Sequence, residues 1–497
     1  MSYYQEDLPP VPPPDTLTGD STPVGADHLS ESKDVFLVEF EGPNDLDNPK
    51  NWPLSKKLRT VFLVSMLTVN LTFASSVSSA AIEYVKDDFK VGHATSNLQT
   101  AVFLFGFAFG ALPLAPLSEL YGRAPVYSAT LLISSLFELG GALAPNIQTL
   151  IITRFFAGFF GATPLSNAGG SIADMCTPSL RTLIFPIFAS CGFLGPLLGP
   201  VIGGWICQEA GWKWAYWVTF FWGMAVLVLV VLFAPETLAD AILRKKAKAL
   251  RKATGDSRYH AAAEFSEDQT VAMFKTAMSR PFVFMVREPI IIFMTLYISV
   301  AYIVLFGDFE AYPLIFSVYN FNTGEVGLAF IPIIVGVFLC CATTPLVYWH
   351  ENRTRQRLGT DIVPPETRLV QLMPTSLMMP IALFWLAWTC YSSVSYWSPL
   401  MSGVPLGFGF LFVFIAVYQY CIDSYGKNAS SALAVLTFVR YNASGGWVLA
   451  TTPLFTHIGN HWGASFLAFL SVAMIPIPFI FYRYGAHIRS WSKYAVR

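Results

Sequence analysis

The sequence predicts an all-α integral membrane protein of twelve spanning helices, and three observations predict it. Of its 497 residues, 54% are hydrophobic and 13% charged, at a mean hydropathy of +0.51, which leaves too little polar surface for a water-soluble fold of that length. Apolar runs of about 20 residues, enough at ~1.5 Å per residue to cross a ~30 Å hydrocarbon core, recur along the chain. Lysine and arginine fall almost entirely in one set of links between those runs, as in a protein with a fixed orientation in a bilayer.

Taken in order, the first 50 residues hold 11 acidic against 2 basic side chains and 8 prolines. Such a stretch cannot bury a core, so residues 1–58 are expected to form a disordered acidic tail. It lacks a basic segment leading into an apolar one, so no cleaved signal is expected and the first span acts as the insertion signal. Spans are placed at 60–81, 97–117, 126–145, 147–170, 182–206, 214–234, 290–313, 326–349, 374–393, 404–422, 429–455 and 464–482. They divide into a bundle over 59–234, a polar central loop over 235–289, a second bundle over 290–483 and a tail over 484–497. With both termini in the cytoplasm, 26 of the 31 Lys and Arg lie on that side; Lys86, Lys90 and Lys213 lie opposite, and Arg154 and Arg440 lie within spans. In the central loop, Arg244, Lys245, Lys246, Lys248, Arg251 and Lys252 share a segment with Leu238, Ile242 and Leu250. That segment reads as an amphipathic helix against the inner leaflet, or as a solvated face that merely holds topology.

Several function classes are excluded. The formal charge of −1 offers no cationic patch for nucleic acid. No phosphate-binding G-x-x-x-x-G-K-[ST] loop is present, which argues against an ATP-driven pump. The seven His lie in tails, links or at a span end, and the seven Cys lack ligand spacing, so neither a metal nor another cofactor is expected, nor an intramembrane enzyme.

Between spans two and three stands Gly110-Ala-Leu-Pro-Leu-Ala-Pro-Leu-Ser-Glu119-Leu-Tyr-Gly122-Arg123-Ala-Pro125. Gly122 permits the reversal, Pro125 starts the next helix, and Glu119 and Arg123 stand four apart, able to pair with each other or with neighbouring helix ends. This segment resembles the loop signature of the major facilitator superfamily, in the form P-L-S-E-x-Y-G-R-x-P of its fungal twelve-span drug:proton antiporters. Ala115, Glu119, Leu120 and Ala124 depart from the general motif, where Gly, Asp, Arg and a second basic residue are usual. The resemblance implies a conformational latch of Glu119, Gly122 and Arg123, with Asp174 at the end of span four as a further partner.

Arg154 lies within span four, where a guanidinium in hydrocarbon costs about 2.5–3.5 kcal/mol unless it faces a wet cavity. It resembles the family's span-four arginine, which implies proton linkage through a carboxylate; bracing helices through carbonyls is the alternative. In span five, Gly195, Gly199 and Gly203 recur every four residues on one face, with Pro196, Pro200 and Gly204 among them, which allows close backbone approach and favours a bend. The pattern resembles the antiporter signature of the superfamily, implying a leak-tight seam between the two halves.

The resemblance continues through Trp212-Lys213-Trp214, Pro235-Glu236-Thr237, Arg280-Pro281, Arg287-Glu288-Pro289, Phe309-Glu310-Ala311-Tyr312-Pro313, Pro365-Glu366-Thr367-Arg368-Leu369, Arg440 and Pro476-Ile477-Pro478-Phe479, covering about residues 38–497. It implies two six-helix bundles related by a pseudo-two-fold, around a compartment at the bilayer midplane. Ionisable groups inside spans mark pathways. Glu138, Asp308 and Glu310 are the proton-coupling candidates beside Arg154, with Asp423 at the inner end of span ten. Asp308 is favoured, and a satisfied carboxylate near the outer mouth is its alternative. Tyr302, Phe306, Tyr418, Gln419, Tyr441 and Asn442 are candidates for the cavity wall. Arg440 is read either as attracting an organic anion or as a brace.

The expected function is proton-coupled export of amphipathic small molecules, whether toxin, secondary metabolite or xenobiotic, by a monomer in the plasma membrane rather than the vacuolar one. An importer or facilitator of a nutrient or polyamine is the alternative. A non-transporting membrane sensor is a remoter one.

Overall fold

The computed structural model describes residues 36–42, 44–264, 278–359 and 364–495. Among these, the only sheet is a pair of two-residue strands, and everything that could cross a membrane is helical. The first six spans are Leu54–Val77, His93–Tyr121, Arg123–Ala142, Ile147–Gly161 continued by Thr163–Met175, Pro178–Glu209 and Trp212–Phe233. Span seven is Pro289–Phe316, span eight centres on Ile331–Ala342, span nine on Met378–Thr389, and span ten is Gly403–Tyr425. Spans eleven and twelve run through Ala429–Met474, divided at the non-helical Gly459, and on into Pro476–Trp491.

Ten helical stretches qualify as membrane-crossing by length and composition. The last of them, Ala429–Trp491, holds two spans across the Gly459 break. Arg123–Ala142 is the remaining span; it carries Glu138 and several hydroxyls, which lower its hydropathy. Helix starts follow from local chemistry. Asn146 caps span four by accepting from the Thr149 amide at 2.9 Å, and Thr177 precedes Pro178 at the first position of span five.

Span one packs on span five and span two on span four; in the second half, span seven packs on span eleven and span eight on span ten. Across the halves, span two meets span eleven and span five meets span eight. Shifting every number by six maps these pairs onto one another, the packing expected of two bundles related by a pseudo-two-fold.

Residues 36–42 and 44–58 are not the disordered tail that their acidic composition predicts. Phe36–Leu37 pairs in parallel with Tyr259–His260, Val38 is buried with Ala247 and Ala261, and Lys246 pairs with Glu41 at 2.9 Å and with Asp47 at 3.7 Å. The acidic side chains have a basic partner surface, and that is why this stretch folds. The proline-rich residues 1–35 lie outside the described part.

The basic segment of the central loop is a helix, Ala239–Thr254, and part of its apolar side meets protein. Leu243 and Leu250 pack on the Val38 cluster, and Arg244 donates to the Leu120 carbonyl at the link between spans two and three. Arg251 grips Glu264 with two hydrogen bonds of 2.7 and 2.9 Å, and holds its carboxyl below the usual range.

Candidate functional site

At the face that carries the described chain ends, the residues expected to form a latch converge. Arg123 donates to Ser118 Oγ at 2.6 Å and stands at ion-pair distance from Glu119, 3.7 Å, and from Asp174, 3.6 Å. Sequence reasoning passed over a further member, Glu236. Its carboxylate accepts from the backbone amides of Arg123 at 2.9 Å and Ala124 at 3.1 Å, and so caps the positive end of span three. Gly122 has φ +102°, and a Cβ there would lie 2.5 Å from Glu236 Oε2; both the turn and the close carboxylate require glycine. Glu236 was legible only as part of a turn landmark.

A second ionic cluster on this face joins the two halves, and only Asp423 was singled out for it, as an intramembrane carboxylate. Arg181, in the first turns of span five, pairs with Asp423 at the end of span ten. Arg368 Nε reaches Asp423 Oδ2 at 2.8 Å, and Arg368 also pairs with Glu351. Thr182 donates to Glu351 at 2.9 Å, and Arg355 stands 3.6 Å from it. These polar groups come from four segments far apart in sequence, so no local spacing announces them. Together they close this face.

Arg154 is fully buried, and all of its fork is used. Nη1 pairs with Glu138 Oε1 at 2.9 Å. Nη2 donates to the Ala74 carbonyl at 2.8 Å and to Ser78 Oγ at 3.1 Å, and Nε to the Gln99 carbonyl at 3.2 Å. The Phe103 ring covers the guanidinium at 4.0 Å. Arg154 thus ties spans one to four together, and Glu138 is its counter-ion.

The glycine face of span five does not look across the two halves. A Cβ on Gly195 would fall 1.9 Å from Thr72 Oγ1, one on Gly199 would fall 1.9 Å from Ser76 Oγ, and one on Gly203 would fall 2.9 Å from Val77. All three neighbours belong to span one, because the four-residue period sets one helix face and that face meets a helix of the same bundle. Gly204 and Pro200 turn to the other half, where they meet Thr323 and Gly327. Span five runs unbroken from Pro178 to Glu209 through Pro196 and Pro200.

On the opposite face, a cavity of about 210 Å³ opens between the halves. Glu83, Tyr84 and His93 line one side, and Phe309, Glu310 and Phe330 line the other. Glu310 is buried, and its Oε1 has no hydrogen-bond partner. Asp308 is buried too, with Oδ2 unpartnered, but it does not line this cavity. The favoured carboxylate is therefore not the one at the wall.

Below the cavity, four of the six expected wall residues gather around Arg440. Arg440 lies among the rings of Tyr302 at 4.5 Å, Tyr441 at 4.8 Å, Tyr418 at 5.3 Å and Phe414 at 5.4 Å. Phe306 packs tilted against Tyr302 and edge-on against Tyr441, at 6.2 and 6.3 Å between centroids. The first half closes this group with Phe193 against Tyr302, Phe185 against Tyr418 and Phe107 against Tyr441. Two expected wall residues are elsewhere. Gln419, one residue on from Tyr418 and so turned about 100° around the helix, lines a small pocket beside Glu351 and Arg368. Asn442 folds back on its own helix, donating to the Phe438 carbonyl at 2.8 Å.

Two packed bundles, a closed ionic face and a compartment between the halves define a membrane transporter. The chain belongs to the Major Facilitator Superfamily, whose family profile matches residues 63–450. An uncharacterized transporter of Schizosaccharomyces pombe, C530.02, is 46% identical over 93% of this chain and 86% of its own. The multidrug transporter mdrA of Aspergillus fumigatus is 38% identical over 91% of this chain and 75% of its own. Among solved structures, the proton:xylose symporter XylE shares the fold, with a TM-score of 0.61 at 15% identity, covering 87% of this chain and 96% of XylE.

Proposed function

We propose that this transporter exports amphipathic small molecules from the cytoplasm in exchange for protons, from the plasma membrane of a fungal cell and with both termini inside. The observation that carries the reading is Glu310, a buried carboxylate with an unpartnered oxygen on the wall of the cavity between the halves. A carboxylate there can take a proton from the open side, and its charge can make the affinity for cargo differ between the two access states, which coupling requires. The ionic cluster of Arg181, Thr182, Glu351, Arg368 and Asp423 supports a cycle in which this face must part before cargo enters.

The two halves of the molecule give the residues distinct roles. Arg154 and Glu138 keep the first bundle rigid. The span-one and span-five seam at Gly195, Gly199 and Gly203 makes those two helices move together. The Arg123 latch, with Glu119, Asp174 and Glu236, ties the ends of spans two, three and four to the central loop.

Purified protein in liposomes with an acidic lumen, its molecules inside-out and a fluorescent amphipathic drug in the outer solution, tests the reading. Drug accumulation inside with loss of the gradient is the expected result. Movement of drug down the proton gradient identifies a symporter, and no movement in either direction overturns the proposal.

A further inference from the structure

Arg440 is the exception in this chain's treatment of buried charge. Its guanidinium is fully buried, and such a group keeps its proton under all ordinary conditions. Among the described residues no carboxylate lies within ion-pair distance of it, and none of its three nitrogens makes a well-formed hydrogen bond. The phenols of Tyr302, Tyr418 and Tyr441 are the polar groups that act on it. A buried charge left without its counter-ion is strongly unfavourable, and yet a fully paired arginine stands in the same molecule at Arg154.

The surroundings of Arg440 supply what a ligand would use. Flat π-faces surround the guanidinium on several sides, and a guanidinium fork matches a carboxylate bidentately. The site lies where the halves meet, since Phe107, Phe185 and Phe193 of the first bundle close it. Parting of the halves withdraws those rings and opens a slot of aromatic width with a fixed positive charge in its wall.

We propose that Arg440 and the rings of Tyr302, Phe414, Tyr418 and Tyr441 form the cargo-binding site, and that the cargo is an aromatic organic anion whose acidic group takes the place of the missing counter-ion. This names the substrate class of the transport reading above and rests on it only for the word cargo. Aromatic rings alone would favour an organic cation; with Arg440 already held among them, a second positive charge is repelled.

Equilibrium binding to the purified full-length chain tests the assignment without any proton gradient, so it can fail while proton-driven export stands, and the reverse. The probes are 2-naphthoate, 2-naphthamide and 2-naphthylmethylammonium, which share a ring system and differ in charge, titrated calorimetrically at pH 7. The wild type is expected to bind the carboxylate about tenfold or more tighter than the amide, the scale of a hydrogen bond to a charged group, and to bind the ammonium weakest. Arg440→Met should erase the gap between carboxylate and amide, and Arg440→Lys should keep part of it. Equal binding of the three probes, tightest binding of the ammonium, absence of saturable naphthoate binding, or an unchanged gap in Arg440→Met each overturns the assignment. The wild-type ranking decides the matter even if Arg440→Met does not fold.

Discussion

Two arginines in this chain are buried to the same degree and are treated in opposite ways. Arg154 has a carboxylate, two carbonyls and a hydroxyl, all from helices of its own bundle. Arg440 has rings, and it lies at the meeting of the bundles. A charge that has all its partners inside one rigid unit has no reason to respond when the units part. A charge held only by polarisable faces that the other unit's rings cover has its surroundings changed by the same motion. The first is architecture, and the second is available for chemistry.

The largest expected effect breaks the first member of that pair. Arg154→Met leaves Glu138 buried without a counter-ion, and breaking a buried pair from one side costs about 3–5 kcal/mol. Thermal unfolding in detergent should show a strong loss of stability. Adding Glu138→Leu should recover much of it, since apolar replacement of a whole buried pair is often neutral. Failure of the double variant to recover would mean that Arg154 contributes through its carbonyl contacts rather than through the charge pair.

Arg440→Met is the contrasting case. It removes a charge with no counter-ion, so stability should change by less than about 1 kcal/mol or rise, while pH-driven transport of an anionic cargo is lost.

Next in size are the carboxylates of span seven. Glu310→Gln should abolish proton-driven flux in proteoliposomes and remove the pH dependence of cargo binding, because Glu310 lines the cavity. Asp308→Asn should act more weakly, through packing. A larger loss of coupling in Asp308→Asn than in Glu310→Gln would restore the preference drawn from the sequence.

The ionic cluster comes after. Asp423→Asn releases both Arg181 and Arg368. It should raise labelling of a cysteine placed near Thr182 from the terminal side several-fold, with little change in the melting temperature.

The smallest effect lies outside the membrane. Glu264 is held below the ordinary carboxylate range by its hydrogen bonds to Arg251, so the stability it lends is present above the unfolded value of about 4.3 and fades as pH falls through the lower folded value. Proteolysis of the loop near Glu264 should become easier only at acid pH, and Glu264→Gln should make that susceptibility nearly pH-independent.

The spans were legible because hydropathy and length act on each segment alone, and the Gly459 break falls between the two spans read near the end of the chain. The cluster around Arg123 was legible because its motif is local. What stayed hidden is long-range. Glu236 caps a helix over a hundred positions away, and the Arg181, Glu351, Arg368 and Asp423 cluster forms only when two bundles close. The span-five glycines were read on the right face, but periodicity fixes a face and not the neighbour it meets. Residues 36–58 looked disordered because composition weighs a segment's own residues and takes no account of a basic helix waiting for it. Gln419 and Asn442 share a sequence neighbourhood with Tyr418 and Tyr441, and helical rotation carried them out of the cage.

The most direct test of the contrast between the two arginines is thermal unfolding of the wild type and of Arg440→Met in detergent, each with and without saturating 2-naphthoate. The account predicts that the apo variant melts at or above the apo wild type and that the anion raises the melting temperature of the wild type alone. A variant that melts well below the wild type, with the anion shifting both equally, would make Arg440 a brace like Arg154 and contradict the account.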